Sequence, residues 1–150
     1  MGQYHYVCNL DKHEFLHPHK FGSGLKLMEF GCESVGVPTG LVLLLAASNG
    51  PTGRGGGDWH PWLGGPGYEG REVKVDAATA ERLSREIPGR WAGDRIAIIG
   101  DYAETGDPGI DPDDTPWTNK AGWTDISADV VAAIELDYYV AQERAGRKPW

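Results

Sequence analysis

The sequence predicts an α+β fold: one domain with a mostly antiparallel sheet, about three helices and two long glycine- and proline-rich loops. Three observations carry this expectation. Short runs rich in aromatic and β-branched residues, Tyr4 to Asn9 and Arg95 to Gly100, have the character of strands. Longer stretches with capping residues and apolar stripes have the character of helices. Gly 22 and Pro 10 gather between these elements, from Gly50 to Gly70 and from Gly106 to Pro116, which makes the intervening connections long.

Taken in order, Tyr4 to Asn9 is the first strand. The turn at Leu10, Asp11 and Lys12 returns the chain into His13 to His17, giving a hairpin. Pro18 pushes His17 out of the helical region, so no helix runs through this segment. Gly22, Ser23 and Gly24 then break the chain, and the short apolar run Leu25 to Phe30 fits a strand or a helix equally. Thr39 to Ser48 predicts a buried helix with Thr39 as its N-cap and Asn49-Gly50 as its stop, a buried strand being the alternative. A loop of about twenty residues follows, longer than a compact domain ordinarily tolerates without a use for it.

Glu72 to Val75 predicts a short strand. Asp76 caps an amphipathic helix over Ala77 to Glu86, which Pro88-Gly89 ends. The run Arg95 to Gly100 is continuous enough to predict a central strand covered on both faces. Asp101 to Gly122 is an acidic, proline-rich connection. Asp125 or Ser127 caps a last helix that reaches Arg144 with Val130, Ile134, Tyr138 and Ala141 on one stripe, and 147–150 is a tail. The chain holds no internal repeat.

Composition narrows the function. With 150 residues, 40% hydrophobic and 24% charged, the chain has the makings of one globular domain and not of a disordered one. A net charge of −8 argues against a nucleic-acid partner, because phosphate backbones are held by basic patches. No basic stretch followed by an apolar run opens the sequence and no apolar run reaches membrane-spanning length, so a cytoplasmic protein without membrane attachment is expected. Gly2 would suit myristoylation, but Tyr6 stands where that motif needs a hydroxyl residue. Cys8 and Cys32 are expected to be reduced thiols in such a compartment, a disulfide between them staying possible.

Candidate chemistry concentrates in Asp11 to Lys20. In an extended chain His17 and His19 point to one face and could offer two imidazoles to a metal, with His13 or Asp11 as a third ligand. The count falls short of a typical metal centre, and the competing expectation is that these rings hydrogen-bond the hairpin and pack on Phe15 or Phe21. No cofactor is expected. The loop after Gly50 has the outer spacing of a phosphate-binding loop, but Gly56 and Gly57 stand where its lysine and hydroxyl residue belong. Backbone amides of Gly55 to Gly57 with Arg54 could still form an anion nest, against the simpler expectation of a surface loop. Trp59, His60, Trp62 and Tyr68 in the same loop either fold onto the core or form a partner surface. Asp107, Asp111, Asp113 and Asp114 lack the glycine and glutamate of a calcium loop and are expected to be a solvated acidic stretch. Asp101 differs, since it directly follows a strand, where site residues often lie. His5 and Cys8 are three apart on a strand and so face opposite ways, unsuited to act as base and nucleophile.

The opening M-G-x-Y, the run N-L-D-K-x-E-x-L-H-P-H-K-x-G-x-G-L-K-L-M-E-F-G and the later W-A-G-D-R-I-x-I-x-G-D-Y at Trp91 to Tyr102 resemble a family of uncharacterised proteins from bacterial and phage genomes. The resemblance implies a small intracellular protein, an accessory product of mobile elements, and carries no activity and no catalytic residues.

The expected function is binding of a protein or small-molecule partner through the Asp11 to Lys20 hairpin, the Gly53 to Tyr68 loop and Asp101. Within that surface the candidate residues are Asp11, His13, His17, His19, Lys20, Arg54, Trp59, His60 and Asp101. The rival expectation is a small metal-dependent or phosphate-handling enzyme that uses His17, His19 and a carboxylate. A decoy for a nucleic-acid-binding partner is weaker, because it would need its acids arrayed on one face.

Overall fold

In the computed structural model the described residues are 2–32, 36–47 and 77–134. The fold is α+β, with a mixed but mostly antiparallel sheet. Its strands are β1 (His5–Asn9), β2 (Glu14–Leu16), β3 (Ile96–Gly100) and β4 (Thr124–Asp125), in the order β3-β1-β2-β4. The helices are α1 (Leu27–Gly31), α2 (Val37–Leu45), α3 (Ala77–Glu86) and α4, helical over 127–134. The chain divides into two compact units, Met1–Thr39 with Gly93–Ala128, and Gly40–Ala92 with Asp129–Trp150.

The first unit is the sheet. β1 pairs antiparallel with β2 through Val7↔Leu16, Cys8↔Phe15 and Asn9↔Glu14, and antiparallel with β3 from His5↔Gly100 to Asn9↔Ile96. β4 pairs parallel with β2. Amides of Thr124 and Ile126 donate to the carbonyls of His13 and Phe15, and the next amide on that edge, His17 N–H, donates to the Ser127 hydroxyl at 2.7 Å. A side chain thus continues the ladder where β4 turns into α4.

Asn9 fixes the hairpin turn. Its fully buried side chain accepts the amides of Asp11 and Lys12 at 2.9 and 2.8 Å and donates to Asp94 Oδ2 at 2.8 Å. Lys12 pairs with the same Asp94 carboxylate, and Asp11 takes both the amide and Nε of Arg95 at 2.7 and 2.8 Å. The turn is therefore bound crosswise to the approach to β3.

On one sheet face Cys8, Ile99 and Trp123 are buried, with Tyr6, Phe15, Ala97, Ile110 and Trp117 packed against them. Trp117 belongs to the acidic connection and Trp123 directly follows it. Trp117 stacks on Tyr6 with centroids 3.9 Å apart and planes at 5°, and its indole N–H donates to the Ile99 carbonyl. Asp107, Asp111 and Asp113 are exposed, as expected of a solvated stretch, but Asp114 is drawn in: it accepts from the Trp123 indole at 3.1 Å and from Asn119 at 3.0 Å, and Thr115 beside it is buried. Val7 and Leu16, which point to the other face, are also buried.

The second unit brings α2, α3 and the turn after α3 together by backbone bonds. Gly89 N–H donates to the Leu43 carbonyl and Trp91 N–H to Leu44, with Gly89 at φ 73°. Leu43, Leu44, Leu83, Ile87, Trp91, Val130 and Ile134 are buried. Arg82 binds Asp129 through both terminal nitrogens at 3.1 Å.

Several expectations need correction. Among the described residues β3 lies at the edge of the sheet and not at its centre, and Ile98 is 48% exposed. The continuous apolar run reflects its position beside the well-buried β1, not burial on both faces. Thr39 does not cap α2; the helix starts at Val37, because Pro38 is tolerated in a first turn. The same helix buries only one side, Val42 being 71% exposed, and it ends at Leu45 before the expected stop. The ambiguous Leu25 to Phe30 run becomes α1, closed by a reciprocal bond in which Glu29 accepts the Lys26 amide at 3.0 Å. The expected helix over Ala77 to Glu86 forms with those bounds. Of the two proposed caps on the last helix, Asp125 takes the Ser127 amide at 2.9 Å, since the Ser127 hydroxyl is used by His17. The Asn49-Gly50 stop, the loop from Gly50 to Gly70, the Glu72 to Val75 strand, the Asp76 cap and the continuation of the last helix lie outside the described residues.

Replacing Asn9 with alanine removes both turn bonds and the bond to Asp94 from a buried site. A loss of about 1–3 kcal/mol is expected, since hydrogen-bonding groups left without partners carry their desolvation cost. Urea unfolding of Asn9→Ala beside the natural chain measures it; unchanged stability would mean the turn holds without this side chain.

Candidate functional site

Of the six expected site residues that are described, four are used inside the fold. Asp11 binds Arg95 through backbone and side-chain hydrogen bonds, which hold its carboxyl below the usual carboxylate range. Asp101 pairs across the sheet with Tyr4, each accepting the other's amide at 3.0 Å, Asp101 through Oδ1. His13 sits at the turn with φ 53°, its ring stacked on Trp123 at 4.5 Å and its Nε2 3.5 Å from Asp114 Oδ2. Lys20 pairs with Asp125 at 2.6 Å. Arg54, Trp59 and His60 lie outside the described residues.

His17 and His19 are different. Pro18 breaks the extended chain after β2 and starts a 3-10 turn, Pro18–Phe21, which carries His19 and Lys20 to the surface. Gly22, at φ 80°, ends it. The register of β1 on β2 places His17 beside Tyr6, with ring centroids 4.8 Å apart, and the His19 ring lies 5.3 Å from that of His17. Nδ1 of His17 is buried and has no hydrogen-bond partner in any other described residue, its own backbone being the polar group that acts on the ring. His5 Nδ1, which the alternation of β1 sends to the opposite face, is likewise buried without a hydrogen-bond partner among the described residues.

Electrostatics make this a neutral patch. Burial disfavours the charged imidazole of His17; Asp125 opposes that, His19 and Lys20 add to it, and the net shift is downward. Burial raises the Asp125 carboxyl, but hydrogen bonds from Lys20 and Ser127 outweigh it and keep the group ionised. Burial raises the Tyr6 phenol, with the Asp125 charge acting in the same direction. Near neutrality the cluster therefore holds a neutral imidazole, a neutral phenol and a matched Lys20–Asp125 pair.

The metal set considered from sequence does not assemble. His13 is engaged by Trp123 and Asp114, and among the described residues no three His, Cys, Asp or Glu side chains gather around one point. Cys8 and Cys32 are both free thiols. Cys8 is pushed up to about 12 by burial, which makes it a poor nucleophile at neutral pH.

Sequence reasoning located His17 and His19 but missed Tyr6, Trp117, Asp125 and Ser127 around them. Strand alternation could have placed Tyr6 opposite His17 once the hairpin register was known. Asp125 and Ser127 are more than a hundred residues from His17, and nothing local marks them as its neighbours.

The depressed His17 value has a defined consequence. The unfolded chain takes up a proton near pH 6.5, before the folded one does, so the stability His17 contributes is complete above that pH. It is lost as pH falls from there through the folded value. His17→Phe keeps an aromatic ring against Tyr6 and cannot be protonated, so its stability should fall less steeply with acidification below pH 6.5. Urea unfolding over a pH series checks this, and identical slopes for both proteins would remove His17 from the account.

Comparison with known proteins returns no matching family model, no similar curated protein and no similar solved structure, so the geometry of the cluster alone bears on its use.

Proposed function

We propose that this is a small binding protein whose partner docks on the turn formed by His17, His19 and Lys20. The observation that supports this most directly is the buried Nδ1 of His17, which finds no hydrogen-bond partner in any other described residue, beside the exposed imidazole of His19. A polar atom held so costs stability, of the order of 1–3 kcal/mol, unless something outside the described fold completes it. Asp11, His13 and Asp101 are occupied by Arg95, Trp123 with Asp114, and Tyr4, which leaves this turn as the part of the expected surface still open to a partner among the described residues.

The chemistry of the turn narrows the partner. Lys20 is already neutralised by Asp125 and His17 stays uncharged, so the surface favours a neutral hydrogen-bonding group over phosphate. The partner is a protein or a small molecule; a nucleic acid is disfavoured by the net charge of −8. A cytoplasmic accessory role in a bacterium or one of its mobile elements is the setting that the resemblance of the N-terminal run implies.

Immobilised protein exposed to a bacterial lysate, with protein and small-molecule mass spectrometry of what is retained, tests this. The natural chain should retain a defined partner that His19→Ala and His17→Phe each lose by about tenfold or more, about 1.4 kcal/mol of binding. An exposed control, Glu104→Gln, should retain it fully. Equal retention by all four proteins would refute the assignment. Elemental analysis showing about one metal per chain, abolished in His17→Ala, would replace it with the metal-enzyme reading.

A further inference from the structure

We propose that β3 is a self-association edge, and that two copies of this chain join by antiparallel pairing of their β3 strands about a two-fold axis at Ile98. The bonds Asp101 N–H to Tyr4 carbonyl and Leu10 N–H to Arg95 carbonyl set the phase of the β1–β3 ladder. In an antiparallel pair the odd residues of β3 then face β1, and the amides and carbonyls of Ile96, Ile98 and Gly100 face outward. Among the described residues nothing pairs with that outer edge.

Within the strand itself two of the devices that block association, charge and proline, are missing. Its five residues, Ile-Ala-Ile-Ile-Gly, contain no charge and no proline, and Ile98 at the middle is 48% exposed. An open apolar edge of this kind templates pairing with another chain.

Charge complementarity selects the second copy as occupant. Pairing centred on Ile98 sets Ile98 against Ile98 and Ile96 against Gly100, with reciprocal N–H to carbonyl bonds at each. The same register sets Arg95 of one copy directly opposite Asp101 of the other, at both ends of the ladder. Only Nε of Arg95 is used by Asp11, and the side chain is 72% exposed, so its terminal nitrogens can reach that carboxylate. Only Oδ1 of Asp101 is used by Tyr4. The interface is isologous and closes on itself, which gives a dimer and not a fibre.

Sedimentation velocity of the full chain from low micromolar to near-millimolar concentration, with amide exchange at both ends of that range, tests the proposal. A monomer–dimer equilibrium is expected, with Ile96, Ile98 and Gly100 amides protected only at high concentration. Ile98→Lys should weaken dimerisation about tenfold or more and leave the β1 ladder and the circular dichroism spectrum intact. R95D and D101R should each dimerise poorly alone, because each sets like charges opposite. Mixed in equal amounts they should associate, since both end pairs then become opposite in charge. A monomer at every concentration, a dimer untouched by Ile98→Lys, edge amides protected independently of concentration, or variants that fail to associate on mixing would each overturn it.

Discussion

The sheet depends on β1, whose backbone is hydrogen-bonded along both edges. Val7, Cys8 and Asn9 are buried in its second half, and every other described strand is positioned relative to it: β2 and β3 directly, β4 through β2. Because the side-chain period of a strand is two, a slip of one residue would exchange its faces. Tyr6 and Cys8 would leave the tryptophans, and Val7 and Asn9 would leave their buried side. The buried Asn9 amide prevents that slip by fixing the turn that follows the strand and tying it to Asp94. A short carboxamide does so with little side-chain entropy to lose, and its polar atoms are matched within the fold.

The acidic connection shows how a charged stretch can become structural. Trp117 within it and Trp123 directly after it cover one face of the sheet, and each indole N–H is matched, one by the Ile99 carbonyl and one by Asp114. Hydrogen bonds from Asn119 and Trp123, against some burial, hold the Asp114 carboxyl below its ordinary value. The same carboxylate lies near His13 over the Trp123 ring. Asp114 thus contacts Asn119, Trp123 and His13, and with the His13–Trp123 stacking this joins the 101–123 stretch to the hairpin turn despite their separation in sequence.

The cluster around His17 follows from this arrangement. Its backbone amide is satisfied by Ser127, its ring rests on Tyr6, and Tyr6 is itself stacked against Trp117 and Phe15. A ring gripped in this way is fixed in orientation, which is what a binding surface requires of its polar groups. The outer edge of β3 offers main-chain groups in a fixed row instead, a different mode of recognition from side-chain hydrogen bonding.

Local chemistry in the sequence determined the hairpin, its Asn9-to-Lys12 turn, the strand at Ile96 to Gly100, the helix over Ala77 to Glu86 and the α+β class. In each case alternation, capping or turn residues within a few positions decide the backbone. Only the tertiary structure decided that β3 lies at the edge of the described sheet with Ile98 exposed, since an apolar run beside one buried strand looks the same as a run covered on both sides. Only the tertiary structure brought Asp125 and Ser127 to His17 and occupied Asp11, His13 and Asp101 elsewhere, because those partners are set by strand pairing across long separations. The two histidines were legible as an Asp11 to Lys20 concentration of donors. Which of them stayed open depended on Trp123 and Asp114 covering His13, and that follows from how the 101–123 stretch packs and not from any spacing within it.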